Sequence, residues 1–142
     1  MAGINGLGSS LTSALSGALA QTQRLSNSAG NVANARSTGA IPGADGTVPA
    51  GKNAAYAPSA TDTVAADGGG TRAVSRPVTP AYIPEYQPDS PQADGNGLVA
   101  APNVDPVTET TNQIGALSAY KANLAVIRTQ DDMQREAINT LA

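Results

Sequence analysis

The stretch LTSALSGALAQTQRLSNSAGNV, Leu11 to Val32, decides how the chain is read. Leu11, Leu15, Ala18, Thr22, Leu25, Ala29 and Val32 recur in alternating steps of four and three. That spacing predicts a helix with a heptad seam, of which Thr22 is the only polar member. Ser9 or Ser10 suits its cap. The rest of this helix is unusual. Between Ser9 and Ala35 only Arg24 is charged, and apart from Leu and Val the residues are Ser, Thr, Asn, Gln, Gly and Ala. A solvated helix face carries Glu and Lys pairs. Small uncharged residues instead permit a second helix to approach closely. The expectation is therefore burial on both sides in an assembly, as against a merely charge-poor surface helix.

Proline marks how far this zone extends. All ten prolines lie between Pro42 and Pro106. Proline costs about 3 kcal/mol inside a helix, so both ends are free to be helical and the middle is not. At the far end, Asn103-Val104-Asp105-Pro106-Val107-Thr108-Glu109 reads as a helix start. Asp105 suits the N-cap, Pro106 the first helical position, and Glu109 the positive helix end. Val107, Ile114, Leu117, Tyr120, Leu124, Ile127, Ile138 and Leu141 follow, interrupted by Asp131 and Gln134. A helix from Pro106 to Ala142 would be ~55 Å long, and so long a helix needs partners.

The middle is rich in Gly, Pro, Ala, Thr and Asp, with turn signals at Gly68-Gly69-Gly70 and Gly95-Asn96-Gly97. Extended pieces fit around Thr71–Val78 and Ala81–Tyr86. The predicted fold is mainly α. Long N- and C-terminal helices pair as a coiled-coil-like unit, and the Pro/Gly-rich middle is irregular or holds a short β-hairpin. Three segments result: 1–38, 39–102 and 103–142.

Composition bounds the function. Phe, Trp, Cys and His are absent, and four tyrosines are the only aromatics. Apolar residues make up 40%, mostly Ala and Val, so a large self-contained core is not expected. Charged residues are 13%, against roughly 25% in ordinary globular chains. The net charge of −3 and the scattered Lys and Arg argue against nucleic acid. No run approaches a membrane span. Met1 to Gly8 shows neither a charged n-region nor an apolar h-region, so no cleavable signal is expected.

Little chemistry is available, and no catalytic residue, cofactor or metal site is expected. Without His and Cys the commonest general base, metal ligands and thiol nucleophile are missing. Gly68-Gly69-Gly70-Thr71 lacks the Lys of a phosphate loop. A calcium loop starting at Asp94 would have Val99 at its sixth position and Asp105 at its twelfth, where Gly and Glu are needed. Asp89 and Asp94 read as turn-capping side chains.

Two ordered blocks carry a resemblance. Ser16-Gly17-Ala18-Leu19-Ala20-Gln21-Thr22-Gln23-Arg24-Leu25 runs into Asn31-Val32-Ala33-Asn34-Ala35-Arg36-Ser37-Thr38-Gly39. Tyr86 to Asp94, Gly97-Leu98-Val99 and Pro102 to Glu109 lead through Ala119-Tyr120-Lys121-Ala122-Asn123 to Thr129-Gln130-Asp131-Asp132-Met133. Together they resemble the bacterial flagellar basal-body rod proteins, and among them the small proximal rod subunits. The resemblance implies a structural subunit that assembles helically around the export channel. It implies export unfolded through the flagellar type III apparatus and transmission of torque across the periplasm. Copies of itself, other rod proteins and the membrane-ring protein are the implied partners. The competing reading is another type III-exported helical interaction protein, needle-like or an adaptor, outside the flagellum. By physical role, Leu11, Leu15, Leu25, Val32, Leu117, Tyr120, Leu124 and Ile127 are the expected packing residues. Asn31, Asn34, Thr38, Pro102, Asn103, Asp105 and Pro106 are the expected helix-end and motif residues.

Overall fold

The computed structural model describes residues 3–141, with side chains from Gly8 onward. Met1, Ala2 and Ala142, the outermost residues of the expected terminal segments, lie outside the described residues. Two long helices frame the chain: α1 (Gly3–Ala33) and α2 (Pro106–Asn139). Between them run β1 (Ser59–Ala65), β2 (Thr71–Pro77), β3 (Tyr82–Tyr86) and β4 (Leu98–Pro102). They form two two-stranded antiparallel sheets, β1 with β2 and β3 with β4.

The architecture is thus mixed α and β, which corrects the expectation of a mainly α chain with an irregular middle. The extended pieces seen in the sequence fall on β2 and β3. Their partners, β1 and β4, were not legible. Glycines make both returns possible. Gly68, Gly69 and Gly70 all take positive φ in the β1–β2 turn, and Gly97 does so just before β4. Prolines are accommodated because each sheet has only two strands. Pro84 pairs with Ala100 in the register Tyr82↔Pro102 to Tyr86↔Leu98, where Ala100 turns its own N–H and carbonyl to Gly39 and so needs no donor from Pro84.

The coiled-coil-like pairing is corrected too. The buried positions of α1 are Ala14, Ala18, Ala20, Ser28 and Asn31, and those of α2 are Ala116 and Gln130. Leu15, Leu25, Val32 and Leu117 are exposed. Small residues let two backbones come closer than leucine knobs would. Of the expected seam, Ala18 is buried and Leu11 half-buried, while Leu15, Leu25 and Val32 are exposed.

Two compact units divide the chain. A looped unit holds Asn27–Ala60 and Ser75–Thr111. Its core is Val99, Ala100, Ala101, Ala40 and Pro58, with Ser28 and Asn31 as buried polar members. Gly39 joins it by exchanging two backbone hydrogen bonds with Ala100, at 2.9 and 2.8 Å. A helical unit holds the chain up to Ser26, Thr61–Val74 and the chain from Asn112. Its core is Ala14, Ala18, Ala20, Ala116 and Gln130.

Candidate assembly surfaces

In the helical unit the contact between α1 and α2 rests on close approach. A Cβ on Gly17 would lie 2.6 Å from Asn123 Oδ1, so only glycine fits there without displacing that amide. Asn123 Nδ2 donates to the Ala119 carbonyl at 2.9 Å, which holds it in place. Ser10 Oγ donates to Gln130 Oε1 at 3.0 Å. Gln130 Nε2 is buried with no partner among the described residues. Two shallow grooves flank this contact. One, of about 240 Å³, is lined by Gln21, Thr22, Leu25, Ala116, Leu117 and Tyr120. The other, of about 300 Å³, includes Leu11, Ile127, Gln130 and Gln134.

Large apolar side chains stand outside this contact. Leu15 is 52% exposed and Leu19 63%. On α2, Ile114, Val126, Met133 and Ile138 are also exposed, and every residue from 131 to 141 faces outward. The expected packing residues therefore divide. Leu11, Tyr120, Leu124 and Ile127 are half-buried within the chain, whereas Leu15, Leu25, Val32 and Leu117 are exposed. Leu19 was missed because it lies off the heptad seam. Its signal was present in the absence of any charge beside it.

The looped unit fixes the helix ends. Asn31, 1% exposed, uses its whole amide. Nδ2 donates to the Ser59 carbonyl at 2.9 Å and to Glu109 Oε1 at 2.7 Å. Oδ1 accepts from Tyr56 Oη and from the Ser59 amide, both at 3.1 Å. Ser28, one turn earlier and also buried, donates to the Glu109 carbonyl at 3.0 Å. Ser28, Tyr56, Ser59 and Glu109 are thus site residues that sequence reading missed as a group, because they are far apart in the chain. Asn34 closes α1, its amide Nδ2 and its backbone N–H both donating to the Gly30 carbonyl. Thr38 is half-buried and bonds through its N–H to the Arg36 carbonyl. Pro102 is buried at the end of β4, and Asn103 Nδ2 donates to the Pro80 carbonyl at 2.9 Å.

Asp105 caps α2, and Pro106 is its first residue. Its carboxylate accepts from the Val107 and Thr108 amides and from Thr108 Oγ1. The Thr108 hydroxyl first, then the Val107 amide, hold its pKa below the ordinary carboxylate value. Asp94 is lowered in the same direction by the amides of Leu98 and Asn96, in the turn that precedes β4. Lys52 Nζ donates to the Gln92 and Ala93 carbonyls, tying the 49–53 loop to that turn.

Among the described residues there is no cluster of three His, Cys, Asp or Glu able to hold a metal. No helix among them is long and apolar enough to cross a membrane. What the described residues present is a set of exposed apolar side chains along both helices.

Comparison with known proteins identifies the setting. A family profile described as Flagellar basal body rod FlgEFG protein C-terminal matches residues 96–140. The flagellar basal-body rod protein FlgC of Salmonella typhimurium is 36% identical over 122 residues, covering 84% of this chain and 86% of the relative. FlgC of Agrobacterium fabrum is 36% identical over 129 residues, covering 89% and 88%. FlgC of Escherichia coli O157:H7 is 34% identical over 119 residues, covering 84% and 86%. These relatives are structural proteins rather than enzymes. With this identity over most of both chains, the protein belongs to the flagellar basal-body rod protein FlgC family.

Proposed function

We propose that this chain is a structural subunit of the proximal flagellar rod, assembling helically around the export channel with copies of itself and other rod proteins. The observation that carries the reading is the exposed, uncharged outer face of α1, with Leu15 and Leu19 at its centre. An isolated globule gains nothing from leaving those leucines in water, where each forgoes ~1.5–3 kcal/mol of burial. Open helical assembly uses heterologous contacts, which need two different faces on each subunit. In this reading segments 1–38 and 103–142 build the rod core and 39–102 the outer layer. The subunit is exported through the flagellar type III apparatus, meets the membrane-ring protein at the rod base and passes torque to the distal rod and hook. The test is a deletion strain complemented with the wild type or with Leu15→Asp, scored by imaging of purified basal bodies. Wild type restores rods and Leu15→Asp does not. Intact rods and normal motility with Leu15→Asp would remove the assembly role of this face.

A further inference from the structure

The looped unit draws its closing contacts from two distant parts of the chain. Asn31 has two amide donors and two acceptor positions, and all four are used. One donor depends on the Glu109 side chain, and Ser28 depends on the Glu109 backbone carbonyl. Both α1 side chains are buried, so without residue 109 each loses a partner where water does not reach. Gly39 waits in the same way for Ala100, with which it exchanges two backbone bonds. Local bonds such as Ala40 to Asn53 and Tyr56 to Ser37 also hold the chain after α1, but the partners that complete Asn31, Ser28 and Gly39 come from residues 100–109.

We propose that Asn31, Ser28 and Glu109 form a folding latch: the local contacts of the segment from Asn27 to Ala60 are locked into the native structure only when the first turn of α2 arrives to complete its two buried polar side chains. Loop closure over some eighty residues precedes any gain from these contacts. A chain that emerges from its N-terminus first stays open over Asn27–Ala60 until Glu109 is out. That use during export rests on the rod reading above; the latch itself does not. Glu109 is a positioning residue in this scheme, acting through Asn31.

The test is hydrogen exchange on the full chain, comparing wild type with Glu109→Ala and Glu109→Gln. The amides to follow are Gly39, Tyr56 and Ser59, which bond to Ala100, Ser37 and Asn31. The latch requires that Glu109→Ala lower protection at all three by roughly tenfold or more, the scale of one lost buried hydrogen bond. Glu109→Gln keeps an acceptor oxygen and should restore most of it. Loosening confined to the first turn of α2, with Gly39, Tyr56 and Ser59 unchanged, would overturn the latch. So would a wild-type chain with no protection at these three amides. Secretion of the same variants from flagellated cells is scored separately: a chain that shows the latch yet is never exported removes the rod reading and leaves the latch standing.

Discussion

The looped unit and the helical unit solve the same problem in opposite ways. The looped unit buries Val99 and Ala100 completely and matches its buried amide, Asn31, with four partners. The helical unit buries mainly alanines, leaves Gln130 Nε2 unpaired, and turns Leu15, Leu19, Ile114 and Met133 outward. One unit has its buried polar groups finished within a single chain, although Ile83, Tyr86 and Val107 are exposed on it as well. The other has its polar spine in place and its apolar surface unspent. In a subunit that assembles, internal specificity and assembly energy are separated: polar, geometry-dependent contacts fix the fold, and the large side chains are kept for neighbours.

The largest effect should come from breaking the finished unit at Gly39. A Cβ there would fall inside the backbone of Ala54 and Ala55, which no rotamer change relieves. Gly39→Val should destabilise the chain by about 3 kcal/mol or more, read by denaturant unfolding and by lost exchange protection over 39–58. Wild-type stability would mean that this close approach is not part of the folded chain. Next comes Asn31→Leu, which keeps the branching but replaces the amide with two bulkier methyls. It strands the Ser59 backbone groups and the Tyr56 hydroxyl, for an expected cost of about 2 to 3 kcal/mol, measured in the same way. An equally stable Asn31→Leu chain would show that the looped unit is held by its apolar core alone.

How far the sequence reached follows the same division. Proline placement and the Asp105-Pro106 start made the helical ends legible, because propensity and capping are local. The face of α1 that meets α2 was legible only in part. The seam included Ala18, which is buried, but hydrophobic periodicity weights large residues and so passed over Ala14, which is buried, and Gly17, which meets the Asn123 side chain. β1 and β4 were missed for a related reason. Val99-Ala100-Ala101 shows no alternation, and one of its partners, Gly39, lies far back in the chain. Asn31 was recognised as a motif residue, but its four partners lie at positions 56, 59 and 109, and no spacing rule connects those.

A smaller effect tests the end of the finished unit. Asp105 has its pKa lowered by hydrogen bonds from Thr108 and Val107. A carboxylate whose folded pKa lies below its unfolded value adds stability that is fully present above the unfolded value, near 4. That contribution is lost as pH falls through the lower, folded value. Exchange at Val107 and Thr108 should therefore rise as the solution is acidified below about pH 4, and Asp105→Asn should blunt that rise. Asp94 adds to the acid response in the same direction, through Leu98 and Asn96. An Asp105→Asn chain with an unchanged acid profile at those two amides would assign the response elsewhere.

The smallest effect on folding should come from the unfinished unit. Leu19 is 63% exposed, so replacing it with Asp removes almost no internal contact. The isolated chain should keep its unfolding midpoint, with a change within about 0.5 kcal/mol. Assembly should respond quite differently, because a neighbour packed on this face would have to bury an unpaired carboxylate. Leu19→Asp should be recovered as folded, secreted subunit that is missing from purified basal bodies. If Leu19→Asp unfolds the monomer, the outer face of α1 is already spent within the chain and the contrast between the two units disappears. If it folds and also incorporates, the subunit contact lies on another face, and Ile114 and Met133 on α2 become the next positions to change. Only the combination of an unchanged midpoint and failed incorporation supports the separation of fold from assembly, and Gly39→Val, which should fail at both, supplies the control.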